Sequence, residues 1–510
     1  MTPLNVSPFL DAAPTQTTPA DSAKATLTLE RLGLAALLAV ICALLLVPLW
    51  SVAYPPLVDY PNHLARYFIL AHLANANSGL AQFYRANWGP VPYVSLDLVA
   101  VALQHLLPIY TVGRIMLSVC LLGVPLAAYF FLRQVNPANK YVGLWALTIA
   151  YGPLFLLGFL NEMWGEAFCF LLLGLWLKYL RNPACGLWLA LFGIGTLLYF
   201  THLVGFAMAG LVMVTYGLMT RQAPRRMLSS LSVFIPGVLV HVRAMARGTG
   251  GHYGQQYQLE YAPKLLRLLD PFRGYTRFCV LLALVGVVIS VALALWKNPD
   301  LKLNYPWIGV SSVVLVCCLI TPQSFHQLDR RLLSFLFIFV LCMADVGRRA
   351  RPLALIALLV FAGRCVDYSH AFFSQQAGLL RLARAIAVVP PHSRVLTMSA
   401  PFGRDGYFRH PDLHFSAYGV IERAWFSPIL FHTQGLHPLA FRVSAYPQQQ
   451  FWPQTAGIDP DWQRVQSDYD YLWVSDLPRF FRPLSAFAQP VYTNDALTVF
   501  RVRRAGSLHK

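Results

Sequence analysis

The feature that most constrains this chain is a succession of apolar runs, each close to the ~20 residues a bilayer requires, joined by short loops. The runs lie at about 32–53, 112–132, 141–158, 163–180, 187–201, 203–219, 227–242, 276–296, 304–321, 331–346 and 352–368. An odd number of crossings puts the two ends of the array on opposite sides. Loop charge then sets the orientation. Alternate loops carry Arg133 and Lys140, Lys178 and Arg181, Arg221 with Arg225 and Arg226, Lys297 and Lys302, and Arg348 with Arg349 and Arg351. The intervening loops at 159–162 and around Thr201–His202 hold neither Lys nor Arg. Basic loops stay cytoplasmic, so the expected class is an all-α polytopic membrane protein of about 11 transmembrane helices, N-terminus in and C-terminus out.

Composition agrees. Of 510 residues, 57% are hydrophobic and only 12% charged, against roughly a quarter charged in soluble domains. One soluble domain, a disordered chain and a disulfide scaffold are therefore excluded. The net charge of +18 would suggest nucleic acid in a soluble protein. Here much of it sits in short loops beside anionic lipid, and no nucleic-acid partner is expected. Nearly all nine cysteines fall inside apolar runs, with no CxxC or Cys/His spacing. No cofactor is expected.

Residues 1–31, rich in Thr, Ala and Pro, read as a disordered cytoplasmic tail. Residues 32–369 form the membrane domain, with external loops at 54–111 and 243–275. Within the first loop, residues 94–108 are apolar but short and contain Asp97, Gln104 and His105. Counting them as a crossing would put Arg133 and Lys140 outside, so they are read as an interfacial or re-entrant helix. Beyond the last run, residues 370–510 mix charge, proline and histidine. They are assigned to a small external α/β domain with a helix at Gln375–Val389 and strands at Arg394–Met398, Tyr469–Val474 and Leu497–Val502.

Polar residues gather on the external side from four segments. Just after the first run comes YPPLVDYPNHLAR, where Asp59, His63 and Arg66 fall within eight residues and the last two share a helix face. Asp59 either caps the turn before Pro61 or acts in a site. In GFLNEMWGE, Glu162 and Glu166 lie four apart with no basic neighbour. Glu162 suits a helix N-terminus, whereas an acid deeper in a span marks a functional site. His202 ends a hairpin, where an interfacial role competes with a binding one. In HQLDRR, His326 precedes Arg330 and Arg331. Two external arginines run against the charge rule and suit a phosphate, or an internal pair of Arg330 with Asp329 or Glu166. The histidines His410, His414, His432 and His437 match no ligand spacing and read as surface residues. Asp59 and Glu162 are the carboxylates that a divalent metal would use.

This layout resembles the GT-C superfamily of membrane glycosyltransferases, and is similar to its aminoarabinose and protein O-mannosyl transferase branches. The likeness rests on the first-loop Asp59 motif, the Val91-Pro92-Tyr93 segment and the acidic turn at Glu162 and Glu166. A late Arg-rich span entry and a C-terminal external domain complete it. The resemblance implies transfer of a sugar from a polyprenyl-phosphate donor to an envelope lipid, glycan or protein, at the outer face of a bacterial inner membrane and with inversion. Asp59 would be the general base and Glu162 or Glu166 the second-loop acid. Arg330 or Arg331, helped by Arg66, would hold phosphate, with His63, His202 and His326 as further substrate contacts. His202 stands where relatives often carry Lys, and Tyr60 where they carry a second acid. Two other functions fit the same sequence: a lipid transporter, or a non-catalytic subunit working with envelope-assembly proteins.

Overall fold

The computed structural model describes residues 19–137, 141–246, 264, 267–321, 328–399, 410–433, 435–447, 460–475 and 480–503. The chain is mostly helical. Helix α1 runs Pro19–Trp50 and so starts ahead of its apolar run; residues 19–31 are helical where an irregular tail was expected. Pro55 and Pro56 follow its end, and α2 (Tyr60–His72) begins with Pro61 near its start, where a missing N–H costs nothing. Helices α3 (Val94–Gln104) and α4 (Ile109–Val135) follow.

The run at 141–158 is not one regular span. It is a 3-10 segment, Val142–Ile149, then a break at Gly152-Pro153, then the short α5 (Pro153–Leu157). Proline lacks the N–H that would continue the helix through the break. Beyond it come α6 (Leu160–Arg181), α7 (Cys185–Thr201) and α8 (Leu203–Met219). The next run is divided into α9 (Pro224–Leu231) and α10 (Ile235–Ala246) by a 3-10 turn. Then follow α11 (Arg277–Leu295), α12 (Tyr305–Ile320), α13 (Leu328–Val340) and α14 (Ala350–Val388). The expected span 352–368 and the helix expected at 375–389 are thus one rod of 39 residues.

Among the described residues, five stretches are long and apolar enough to cross a membrane: Ile109–Val135, Leu160–Arg181, Pro224–Ala246, Arg277–Leu295 and Gly347–Val388. Six further apolar helices are shorter. On α11, Phe278, Leu281, Val288 and Leu295 are exposed, as lipid-facing side chains are, while Ala283 and Gly286 face the bundle.

Four strands, β4 (Val395–Ser399), β6 (Tyr471–Ser475), β7 (Ala488–Thr493) and β8 (Leu497–Val502), form one sheet in the order β4-β6-β8-β7. The β4–β6 pair is parallel and the other two are antiparallel. Three of them, β4, β6 and β8, lie where strands were read from the sequence, with ends shifted by two residues or fewer; β7 was not read there. Buried on the sheet are Leu396, Met398, Trp473 and Val499. A two-residue pair, β2 (Lys302–Leu303) with β3 (Ala344–Asp345), closes the loop before α12.

A separate contact fixes the site. Strand β1 (Tyr84–Ala86), between α2 and α3, pairs antiparallel with β5 (Leu439–Phe441), with Arg85 opposite Ala440. The Tyr84 hydroxyl donates to the Trp425 carbonyl (2.8 Å) and accepts from the Ser427 N–H (2.9 Å). Short helices α15 (Tyr418–Arg423), α16 (Trp462–Asp468) and α17 (Phe481–Ser485) complete the C-terminal region. Tyr54 and Tyr110 both donate to Glu422 of α15. The C-terminal region and the segment between α1 and α4 are therefore built into each other.

Candidate active site at one end of the bundle

The position of Asp59 follows from a glycine a hundred residues away. Gly158 ends α5 in the left-handed conformation, at φ +78°, which glycine adopts without penalty. A Cβ there would sit 2.7 Å from Tyr60 N and 3.0 Å from Asp59 N. With no side chain in the way, Val58 and Asp59 donate their N–H groups to Leu156 and Leu157 carbonyls at 3.2 and 2.9 Å. Asp59 takes the N-cap position of α2, yet its side chain caps nothing. Its Oδ1 instead lies 3.1 Å from His414 Nδ1, and both side chains are nearly buried. The capping role considered for Asp59 is overturned, and His414, read as a surface histidine, is inside.

His63 and Arg66 share the buried face of α2, as their spacing implied. Arg66 is fully buried and donates from Nε to Asp97 Oδ1 at 2.8 Å. The acid inside the short apolar helix α3 is thereby accounted for. His63 packs edge-on against Phe431 at 5.2 Å. Burial, reinforced by Arg66 and then His414, pushes its pKa well below 6.5, because a buried cation loses its hydration.

Glu162 and Glu166 lie on one face of α6, and both are buried. Glu162 Oε2 is 3.1 Å from Arg331 Nη1 and 3.3 Å from His202 Nε2. Glu166 accepts a hydrogen bond from Ser334. His202 can approach because residue 165 is glycine; a Cβ there would be 2.6 Å from the His202 Cβ. Burial first, and Arg331 second, hold His202 in its neutral form. Arg331 also lies over the Phe159 ring at 4.6 Å.

Arg330 does form an internal pair, though with neither acid expected. Its Nε is 3.2 Å from Asp270, while Asp329 pairs with Arg267 at 2.8 Å. Asp270 also receives Arg273 Nε at 2.8 Å. Burial raises the Asp270 pKa, and Arg330, Arg273 and Arg267 work against that rise. The loop carrying Asp270 is pinned from behind by Arg364 of α14. That guanidinium donates to the Phe272, Tyr151 and Arg273 carbonyls and to the Tyr368 hydroxyl.

Between these groups opens a two-natured pocket. Ile149, Pro153, Leu154, Leu157, Phe159 and Met163 line its apolar part; Glu166, Asp270, Arg330, Arg331 and Ser334 line its polar end. Asp59 adjoins it through its main-chain bond to Leu157.

A chain of rings links the Asp59 side to the Glu162 side. His63 meets Phe431, Phe431 stacks on His437 at 6.2 Å, and Tyr93 lies 5.9 Å from His437 and 4.9 Å from His202. The structure thus brings together Asp59, His63, Arg66, Glu162, Glu166, His202, Arg330 and Arg331. His326 lies outside the described residues, as does most of 243–275. Sequence reasoning passed over Asp270, read His414 and His437 as surface residues, and gave Tyr93 no role beyond the Val91-Pro92-Tyr93 segment. Asp270 had a signal, an acid between apolar residues and a proline in LLDPF; the two histidines had none. Among the described residues, no group of three or more His, Cys, Asp and Glu is placed to hold a metal.

The chain is similar to two crystal structures of ArnT from Cupriavidus metallidurans. The apo form shares 15% identity and a TM-score of 0.46, and the form bound to undecaprenyl phosphate 13% and 0.47. In both, the match covers 92% of this chain and 98% of that one. No protein-family model matches the sequence, and no curated protein does.

Proposed function

We propose that this protein transfers a sugar from a polyprenyl-phosphate donor to an acceptor at the outer face of the membrane. The observation that carries this reading is the pocket with an apolar wall and an arginine-bearing end. An isoprenoid chain is satisfied by the wall, and a phosphate suits the arginines, which bind it in forked hydrogen bonds. The external carboxylate beside it supports the choice of transfer over transport. On this reading Arg330 and Arg331 hold the donor phosphate, exchanging part of their hold on Asp270 and Glu162.

Asp59 takes the proton from the acceptor hydroxyl as its oxygen bonds to the anomeric carbon. The bond from that carbon to the phosphate oxygen breaks, and its electron pair leaves with the polyprenyl phosphate. Attack opposite the leaving group inverts the anomeric centre. His414, 3.1 Å from Asp59 Oδ1, orients the carboxylate. The arginines stabilise charge on the departing phosphate, often the larger contribution in such reactions. Glu162 and Glu166 set the arginine geometry through the contacts to Arg331 and Ser334.

The test is conversion of a panel of polyprenyl-phosphate sugars by purified protein in nanodiscs, with mixed envelope lipids and glycans as acceptors and mass spectrometry of the lipid fraction. Asp59→Asn is expected to lower turnover by 10²- to 10⁴-fold, the usual weight of a general base, with insertion and folding unchanged. An Asp59→Asn protein as active as wild type would remove Asp59 as base.

A further inference from the structure

A second opening lies away from the candidate active site, at the other end of the bundle. Helix α13 starts at the arginines of the site and runs for 13 residues, about 20 Å, toward it. The opening is a cavity of about 250 Å³, walled by Asn136 at the end of α4, by Lys302, Asn304 and Tyr305 leading into α12, and by Cys342 and Asp345 beyond α13.

Its charges come as one of each sign. Lys302 and Asp345 are direct partners across the β2–β3 pair, a placement that favours opposite charges. Among the described residues no salt bridge joins the two, and Asp345 accepts instead from the Gly347 N–H at 2.9 Å. Arg348, a neighbouring cation, is taken by Asp300 at 3.0 Å. Asn304 stands at the N-cap of α12, yet its side chain caps nothing, which leaves its amide to the cavity it lines.

These features sort ligands by charge. An anion alone would face Asp345, and a cation alone would face Lys302. A ligand carrying both signs at neighbouring positions satisfies the pair. Its anion turns to Lys302 and the start of α12, where negative charge is favoured, and its ammonium donates to Asp345 and to amide oxygens. The rim indicates the source of such a ligand. Trp296, Leu303 and Tyr305 are strongly exposed, and Trp and Tyr gather at the level of lipid headgroups. The exposed apolar face of α11, with Leu281, Val288 and Leu295, runs to this same end and offers a bed for acyl chains.

We infer that this cavity is a seat for a phosphoethanolamine group, the headgroup of a zwitterionic phospholipid. Its ammonium and phosphodiester are two carbons apart, which suits side chains projecting from cross-strand partners with Cα atoms about 4.5–5.5 Å apart. Seated there, the group bridges the α11–α12 connection and the turn ahead of α14. The inference stands apart from the transferase reading and concerns a different end of the molecule.

The experiment is native mass spectrometry of the full chain, delipidated in detergent and titrated with dioleoyl phosphatidylethanolamine, phosphatidylcholine or phosphatidylglycerol. Glycerophosphoethanolamine, which has no acyl chains, makes a second arm. Phosphatidylethanolamine is expected to bind best, since phosphatidylcholine has no N–H for Asp345 and phosphatidylglycerol has no cation. Lys302→Gln and Asp345→Asn should each weaken it about tenfold or more, as loss of a hydrogen bond to a charged group does. Asp345→Asn should also erase the preference over phosphatidylglycerol. Asn keeps the oxygen that accepts from Gly347, and Lys302 is exposed, so neither replacement disturbs packing. Arg330→Met, at the far end, should leave binding as it was. Displacement of the lipid by glycerophosphoethanolamine assigns the seat to the headgroup alone, and binding of intact lipid only assigns it to headgroup and chains together; both support the inference. It is overturned if the three lipids bind alike, if phosphatidylglycerol binds in preference, or if Arg330→Met abolishes binding that Lys302→Gln and Asp345→Asn leave unchanged.

Discussion

At the scale of single residues, the site consists of buried charges held by few partners, and each has a measurable consequence. His414 lies against Asp59, so His414→Phe keeps a ring against Phe431 while removing that contact. Transfer should fall about 10- to 100-fold, within the span ascribed to positioned proton-transfer groups, and the donor's KM should stay near wild type; steady-state kinetics in nanodiscs checks both. Acid should unfold the protein for a related reason. His63 and His202 have folded pKa values below 6.5, so below that pH the unfolded chain takes up protons that the folded chain refuses. Stability then rises with pH up to about 6.5 and flattens above, each histidine contributing at most about 1.4 kcal/mol per pH unit in that window. Chemical unfolding from pH 5 to 7.5 measures it, and His63→Gln should remove part of the slope. These groups were unevenly legible in the sequence. Asp59, Glu162, Glu166, His202 and Arg331 stood out because a membrane protein seldom puts ionisable groups at span ends without use. His414 and His437 carried no such mark, since a histidine in a polar domain is ordinary until its partner from the far end of the chain is known.

At the scale of elements, turns and anchors decide where the reactive groups point. Gly158→Ala would push a Cβ into the main chain of Asp59 and Tyr60 and strain a left-handed residue, at a cost of about 1–3 kcal/mol. It should depress transfer as strongly as an alteration of Asp59 itself, with the thermal midpoint lowered, and both are measured on one nanodisc preparation. Arg364→Met would strip the donors from the Phe272, Arg273 and Tyr151 carbonyls. Leaving buried acceptors unpaired costs roughly 1–3 kcal/mol, and the residues around Asp270 should lose protection in amide exchange while α4 and α6 keep theirs. Helix positions were read closely where both ends carried signals, as for Leu203–Met219. The run at 141–158 failed because apolarity alone does not see that Gly152-Pro153 interrupts the hydrogen-bond ladder. The last run failed in the opposite sense: a polar stretch around Ser369–Gln376 looked like an end, but nothing in it breaks a helix, and α14 continues through it.

At the scale of the whole molecule, the C-terminal region is a wall of the site rather than an appendage. Its β5 strand is hydrogen-bonded to β1, and Arg85 and Ala440 stand opposite each other. Antiparallel partners lie at ~4.5–5.5 Å, within disulfide reach. Arg85→Cys with Ala440→Cys should cross-link under oxidation, and the oxidised protein should retain transfer, since the paired state holds His414 at Asp59. Loss of turnover on oxidation, restored by reductant, would show instead that the two parts must separate. The long helix α14 adds a consequence of its own. At 39 residues it measures about 58 Å, nearly twice the ~30 Å of hydrocarbon it crosses. With one end at the basic Arg348–Arg351 segment and the other delivering β4, it works as a surveyor's staff. It sets one altitude for the C-terminal sheet and, through it, for the wall of the candidate site.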